Sequence, residues 1–477
     1  MADANDLALL TKLVNDFDGH QNGLSANRAY YDGTAQPTQI GLATPPEMRK
    51  LLAGVGLSRT YISALEERLD IEGFRLAGET RADKRIWEWW QANNLDETSS
   101  FGHTEALIHG RAYILGSAPD PEDPLDDPEV PKLTVEGPER VWADVNSRTG
   151  RVRNAVRVLR DDVTYAADNP DPDYVTLYTP VSTTGYVKSA RGWTVDFRVE
   201  HDLGVVPVVP LLNRSLLTDI YGASQITTEI RSTTDAMARA LMNMQTTAEL
   251  MAVPQRLLFG VKPEDLTDDP SNSYKVFQAY IARILAFEDS DGKAQQFSAA
   301  ELRNFTEVLD YLTKQAASYT GLPPQYLSFT SDNPASADAI RASETRLVKV
   351  AERKQRIFGG AWEQAMRIAL LLMDGKLDRS AHRMETLWRN PATPTFAAKA
   401  DAVVKLATAA TPDGRPVIPI ERARVDLGYS VEERQEMEQW DRQSATSQLA
   451  TLVRPRFQEP GRSSTPDEGP TPEAEAA

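Results

Sequence analysis

The chain has no cysteine among its 477 residues. That absence excludes disulfides, thiolate metal sites and thiol catalysis together. Histidines number only five, and none forms a His-x-x-x-His pair. His103 and His109 would fall about 120° apart on a helix, which argues against a shared metal. Long apolar runs are missing as well. The densest, Val205–Leu212 and Ile368–Met373, stop far short of the ~18–20 residues a membrane span needs. The opening Met-Ala-Asp-Ala-Asn-Asp has no basic segment leading into an apolar one, so no signal peptide is expected. Positive charge is also scarce: 52 Lys and Arg against 69 Asp and Glu leave −17. A protein that grips nucleic acid over a broad face carries the opposite balance, because phosphate neutralisation supplies most of its affinity. DNA passing through the protein is not excluded by that reasoning.

What is present suits a folded chain. Hydrophobic residues make up 41%, enough for a sizeable core, and the length suggests about three structural units. A soluble protein made in a reducing compartment is expected. Helices are expected over 3–31, 45–70 and 80–93, with a strand near 73–78. Trp87, Trp89 and Trp90 cannot share one side of the third helix, so at least one must meet another element or another subunit. From Gly110 to Pro210 the period falls to two, and Arg111–Leu115, Val152–Leu159, Tyr174–Tyr178, Trp193–Val199 and Val205–Val209 read as strands. The proline-rich acidic stretch Asp120–Pro131 reads as an exposed loop.

Beyond residue 215 long helices take over. Residues 222–251 place Ile230, Met237, Met244 and Met251 seven apart. After a mixed segment, Ser298-Ala-Ala-Glu301 has the spacing of a capping box. It opens a helix striped by Leu302, Phe305, Leu309, Leu312, Ala316 and Tyr319, ended by Gly321 and Pro323-Pro324. A third rod runs from about 336 to 374, with Gly359-Gly360 suggesting a kink. Helices follow near 395–409, 419–428 and 430–453, and a disordered tail from Arg454.

Catalytic signatures fail on spacing. The only Gly-Lys pairs, Gly292-Lys293 and Gly375-Lys376, lack the glycine five positions earlier that a phosphate loop requires. Asp289-Ser-Asp-Gly292 begins like a calcium loop, yet its twelfth position is Ala300. Ser290-Asp-Gly-Lys293 and Ser331-Asp-Asn333 mimic serine-acylase boxes without the Lys-Thr-Gly partner. Asp168, Asp171 and Asp173 fit a solvated loop as well as a cation site. No enzyme and no cofactor are expected.

The long apolar stripes either pack within one chain or find partners on sister copies. On the third rod Arg346, Lys349, Arg353 and Arg356 recur at 3-4-3 spacing and share a face. Such a row is either a solvated face answered by Glu344 and Glu352, or a basic track opposite a polyanion.

Landmarks along the chain resemble those of the portal proteins, the head-to-tail connectors, of long-tailed bacteriophages. They are Tyr30-Tyr-Asp-Gly33, Gly204-Val-Val-Pro-Val-Val-Pro210, Asn213-Arg214 and Tyr221-Gly-Ala-Ser-Gln-Ile226. Gly321-Leu-Pro-Pro324, Asn333-Pro-Ala-Ser-Ala-Asp-Ala-Ile340 and Trp388-Arg-Asn-Pro391 complete the set. None is catalytic; their order and spacing carry the resemblance. It implies an α+β, mainly α, portal fold. Residues 1–215 would form an α/β wing, 216–251 and 298–321 two stem helices, and 252–297 a clip. Residues 322–335 would be a tunnel loop, 336–375 a long kinked tunnel helix, 376–453 a helical crown, and 454–477 a disordered tail.

The resemblance also implies a homo-oligomeric ring, twelve copies in the virion, at one capsid vertex, with assembly in the host cytoplasm. Its partners would be the terminase large subunit, a head-completion or neck adaptor protein, the major capsid and scaffolding proteins, and double-stranded DNA passing through without sequence specificity. No membrane is involved. Twelve times −17 gives a formal charge near −204, which suits a conduit better than an anchor. Phe329, Thr330, Ser331, Asp332 and Asn333 match the tunnel loop. Arg346, Lys349, Arg353 and Arg356 are expected to line the channel, from helical facing rather than from a family motif. Leu302, Phe305, Leu309, Leu312 and Tyr319 are expected to pack stem helices between subunits, and Lys262, Glu264, Asp265 and Asp268 to contact a partner at the clip. Another ring component of the head–tail adaptor, or a soluble hydrolase with an unrecognised site, stand as the alternatives.

Overall fold

A computed structural model describes residues 4–35, 54–159, 174–189, 192–252, 256–259, 284–287, 302–327, 337–392, 396–411, 415–429 and 431–453. The chain divides into two compact units, 1–392 and 393–477.

In the first unit, α1 (Ala4–Asp32) lies on one side of an antiparallel five-stranded sheet. Its strands, in spatial and chain order, are β4 (Val141–Val145), β5 (Val152–Leu159), β6 (Tyr174–Tyr178), β7 (Ser182–Ser189) and β8 (Gly192–Glu200). Leu10, Leu13, Val14 and Phe17 of α1 are buried with Trp142, Val156, Val158, Val175, Leu177 and Tyr186, the inward-facing alternate positions of the strands. A second sheet has the order β3 (Lys132–Glu136), β2 (Arg111–Ser117), β9 (Val208–Leu212). A third pairs β1 (Ile71–Arg75) with β12 (Glu385–Trp388), residues more than 300 positions apart. Two short strands, β10 (Arg256–Phe259) and β11 (Ile284–Phe287), pair in parallel.

The remaining helices of this unit are α2 (Leu57–Glu66), α3 (Lys84–Ala92), α4 (Leu95–His109), α5 (Thr228–Ala252), α6 (Arg303–Thr320) and α7 (Ala337–Asp374). At 38 residues, α7 is about 57 Å long. Leu347, Ala351, Phe358, Trp362, Ala365, Met366 and Ala369 run along one side of it and are all buried in the largest core cluster, with Trp89 and Trp90 of α3, Leu107 of α4 and Leu211 of β9. The stripe on this rod is therefore satisfied within its own chain, and needs no sister copy. The three tryptophans divide their work. Trp90 meets Trp362 edge-on at 4.9 Å, Trp87 stacks on Trp90 at 6.0 Å, and Trp89 donates its indole N–H to Glu129 O at 3.0 Å.

The rod is assigned helical without a break across Gly359-Gly360. Gly359 is there because β12 passes close: a Cβ would stand 3.1 Å from Trp388 Nε1, and Thr386 Oγ1 donates to Gly359 O. Nothing surrounds Gly360 that calls for glycine. On α6 the described helix starts at Arg303 with no side-chain cap; the capping box Ser298–Glu301 lies outside the described residues, as do Asp168, Asp171, Asp173, the Asp289–Gly292 turn and the Ser331–Asn333 box. The structure also adds α4, β3, β4, β7, β10, β11 and β12 to the elements read from sequence; β12 is a strand within the stretch 376–453 expected to be helical.

The second unit holds α8 (Phe396–Thr408), α9 (Ile420–Leu427) and α10 (Val431–Val453). Arg424 of α9 reaches Asp441 of α10 at 2.7 Å.

His103 of α4 sits inside the main core, fully buried and stacked on Phe358 with centroids 5.3 Å apart. Trp362 Nε1–H donates to His103 Nε2 at 2.9 Å, so the ring is neutral with its proton on Nδ1. Burial pushes its pKa down to about 3. In the unfolded chain the same group titrates near 6.5. Between about pH 6.5 and 3 the unfolded state binds a proton the folded state refuses, so stability falls as pH drops through that window. His103→Phe is expected to flatten the acid limb by up to about 1.4 kcal/mol per pH unit, read from thermal melts between pH 7 and 4; an unchanged limb refutes the assignment.

Candidate functional site on the long helix and its anchors

Covering the apolar side of α7 turns its other side outward. Arg346, Lys349, Arg353 and Arg356 are all exposed on that side. They are not equivalent. Arg346 Nη1 donates to Ser318 O at 2.8 Å and lies over Gly321, the left-handed C-terminal cap of α6. It thus satisfies one of the carbonyls that a helix end leaves unpaired. Lys349 pairs with Glu352 at 2.7 Å. Arg353 and Arg356 have no hydrogen-bond or ion-pair partner among the described residues. The part of the row open to a ligand is the Arg353–Arg356 pair.

Below the row a clamp ties three elements. Tyr326 Oη donates to Glu344 Oε1 at 2.8 Å and accepts from Arg68 Nη2 at 3.2 Å. Arg68 also donates to Ala64 O of α2 at 2.8 Å, and its guanidinium stands 3.9 Å from Glu344. Gln325 Nε2 donates to Ser343 Oγ at 3.0 Å. The Pro323-Pro324 pair starts the short 3-10 turn Pro324–Tyr326 that presents both side chains. The chain arriving at Leu327 is thereby fastened to the first turns of α7. Burial raises the pKa of Tyr326 above its ordinary value. Phe329, Thr330, Ser331, Asp332 and Asn333, the family-matched loop, lie outside the described residues.

A second joint gathers landmarks far apart in sequence. Asn213 accepts from the buried Lys354 ammonium, and its Nδ2 donates to Ala223 O at 2.7 Å and Gln225 Oε1 at 3.2 Å. Gln225 donates onward to Tyr61 Oη at 2.8 Å, and Asn213 N–H to Gly110 O at 2.8 Å. Backbones crowd here: a Cβ on Gly110 would lie 2.8 Å from Ala223, and one on Gly222 would strike the Gly110 carbonyl. Both glycines also hold positive φ, so two requirements exclude a side chain. Burial, then Arg353, push the Lys354 pKa down to about 8, against the pull of Asp219. Nearby, Tyr30 of α1 donates to Asp235 of α5 at 3.1 Å.

The stem residues split between two surfaces. Phe305, Leu309 and Leu312 are half-buried, and α6 packs along α5; Leu302 and Tyr319 are exposed. Three of the five residues of the expected inter-subunit stripe thus lie half-buried on a helix that packs along α5 of the same chain. Lys262, Glu264, Asp265 and Asp268 lie outside the described residues. No cluster among the described residues could hold a metal ion, and no described helix is long and apolar enough to cross a membrane. Sequence reading missed Lys354, Arg68 and Tyr326. Lys354 was findable: it interrupts the apolar side of α7, seven residues beyond Leu347.

Glu344→Ala leaves Arg68 buried without its carboxylate, and is expected to cost about 3–5 kcal/mol. Tyr326→Phe removes one hydroxyl and is expected to cost about 1–2 kcal/mol. Denaturant unfolding of the full chain checks both, and equal small losses would contradict the clamp.

The family model for phage portal protein, SPP1 Gp6-like, matches residues 18–448. The chain is 52% identical to the portal protein of Mycobacterium phage D29 over 443 residues, 92% of this chain and 90% of that one. It is 51% identical to the portal protein of Mycobacterium phage L5, over 95% and 92% of the two chains. Among solved structures, the neck of a native GTA particle computed with C12 symmetry is similar at TM-score 0.40 and 14% identity, covering 85% of this chain and 99% of that one. A match of this extent, with relatives more than half identical, leaves one conclusion: the chain belongs to the phage portal protein family.

Proposed function

We propose that this portal protein works as a ring of twelve copies at one vertex of the virion capsid, where the double-stranded genome passes through its bore. Assembly with scaffolding and major capsid proteins takes place in the host cytoplasm. The ring docks the terminase large subunit, admits DNA, then seats a neck adaptor and releases DNA at infection. Residues 1–215 act as the wing, 216–251 and 298–321 as the stem, 252–297 as the clip, 322–335 as the tunnel loop, 336–375 as the tunnel helix and 376–453 as the crown.

The observation that carries this reading, beyond family membership, is the side of α7 left outward by core packing. It bears four cations at helical spacing on a chain whose net charge is −17. Repeated around a ring, Arg353 and Arg356 form two circles of positive charge within acidic surroundings. Phosphates meet enough attraction to stay centred, but too few cations to be held. No energy-coupling site is needed in the ring, since its ATPase partner moves the DNA.

Arg346 caps α6, so reversing its charge would confound structure with function. Arg353→Glu with Arg356→Glu avoids that. Heads assembled with this double variant are expected to form normally yet package at least tenfold less DNA than wild type, measured as nuclease-protected DNA per head. Unchanged packaging would reduce the row to a solvated face.

A further inference from the structure

Two arginines are buried among the described residues, and only Arg68 has a carboxylate, that of Glu344. Arg111, at the start of β2, is 7% exposed. It has no hydrogen-bond or ion-pair partner among the described residues. Arginines with far more access to water do have one. Arg28 meets Glu105 at 2.9 Å, Arg85 meets Asp374 at 2.8 Å and Arg198 meets Asp6 at 3.0 Å.

What holds Arg111 is an aromatic face. Its guanidinium carbon lies 4.8 Å from the ring centre of Trp142 on β4. Trp142 is itself fixed, stacked with His20 of α1 at 4.0 Å and with Tyr221 at 5.0 Å. Stacking sets the plane of the guanidinium but uses none of its five N–H groups. The indole N–H of Trp142 is buried without an acceptor, as is Arg111 Nε. Two orphan donors therefore sit on side chains that touch. The terminal nitrogens of Arg111, equally unpartnered, keep a narrow opening to water. A guanidinium cannot shed its proton in a protein, and a buried charge without a counter-charge is costly. The neighbouring Tyr113 hydroxyl does not supply one, because burial pushes its pKa up to about 12 even with Arg111 drawing it down.

We propose that Arg111 and Trp142 form the floor of an anion site that takes one small oxyanion, a phosphate or carboxylate head, from solution. An oxyanion is the fitting class, since its several oxygens answer donors from two side chains and match the planar fork in pairs. The opening suits a small head, not the backbone of a polymer. The site joins β2, β4, His20 of α1 and, through Tyr221, the approach to α5, so an anion held there fastens these elements together and stabilises the fold by mass action. It lies within one chain and does not depend on the ring reading.

The test uses the full chain, purified in chloride, with inorganic phosphate and acetate as separate probes in titration calorimetry at constant ionic strength. Wild type is expected to bind one equivalent of at least one probe with a Kd of about 1 mM or tighter, and the probe that binds identifies the head. Arg111→Met is expected to abolish this binding. Arg111→Lys, which keeps the charge but not the fork, is expected to weaken it at least tenfold. Trp142→Phe, which keeps a ring but not the indole N–H, is expected to weaken it at least threefold. Thermal melts establish which variants are folded, and the folded ones decide. No saturable binding of either probe to wild type overturns the site, and so does an affinity left unchanged by the Arg111 substitutions.

Discussion

Covering the apolar side of α7 is the constraint on which the other features depend. A helix of 38 residues cannot leave Phe358, Trp362 and Met366 in water, and burying each large side chain contributes about 1.5–3 kcal/mol. Helices α3 and α4 and strand β9 close over that side, drawing in partners hundreds of residues away in sequence. Once they do, the rotation of the rod is fixed. Arg353 and Arg356 then face outward because 3.6 residues per turn leave them no alternative. The charge pattern proposed for the bore is thus a by-product of core packing, and a change in the core that turns the rod would also turn the charges.

The family landmarks become intelligible as joints rather than as a site. Tyr30 ties α1 to α5, and Asn213 with Gly222 and Gln225 ties β9 and the approach to α5 onto Lys354 of α7. Tyr326, just past the Pro-Pro pair, ties the end of the α6 segment to Arg68 and Glu344. Trp388 pairs with Ile71 across β1 and β12, and Arg389 N–H donates to Asp70 O. Each joint links elements distant in sequence, and those at Asn213–Lys354 and Arg68–Glu344 do so through buried polar groups, whose loss costs more than a typical hydrogen bond gives.

Much of this was readable from the residues, and the failures have physical causes. Strand β6 matches its alternating run, Tyr174–Tyr178, residue for residue, and the 3-4 spacing of Phe305, Leu309 and Leu312 located α6. Helix α4 escaped because Ser99, Ser100, Gly102 and His103 are poor helix formers; its packing decides, with Gly102 close against Val135 of β3. The basic row was visible as spacing, but the capping role of Arg346 depends on a helix end 28 residues earlier. Gly359-Gly360 stood out as a pair of poor helix formers, but local rules contain no information about Trp388 approaching Gly359 from another sheet. Periodicity finds which side of a rod is apolar; it does not say whether a neighbour in the same chain or in the next copy covers it.

The most direct examination of the central claim is a reconstruction of the assembled protein at side-chain resolution. The account predicts a closed ring whose bore is faced by Arg353 and Arg356 of every copy. A ring with those arginines on its outer wall, or a protein that remains a single 52.8 kDa chain in the presence of scaffold and shell protein, would contradict it.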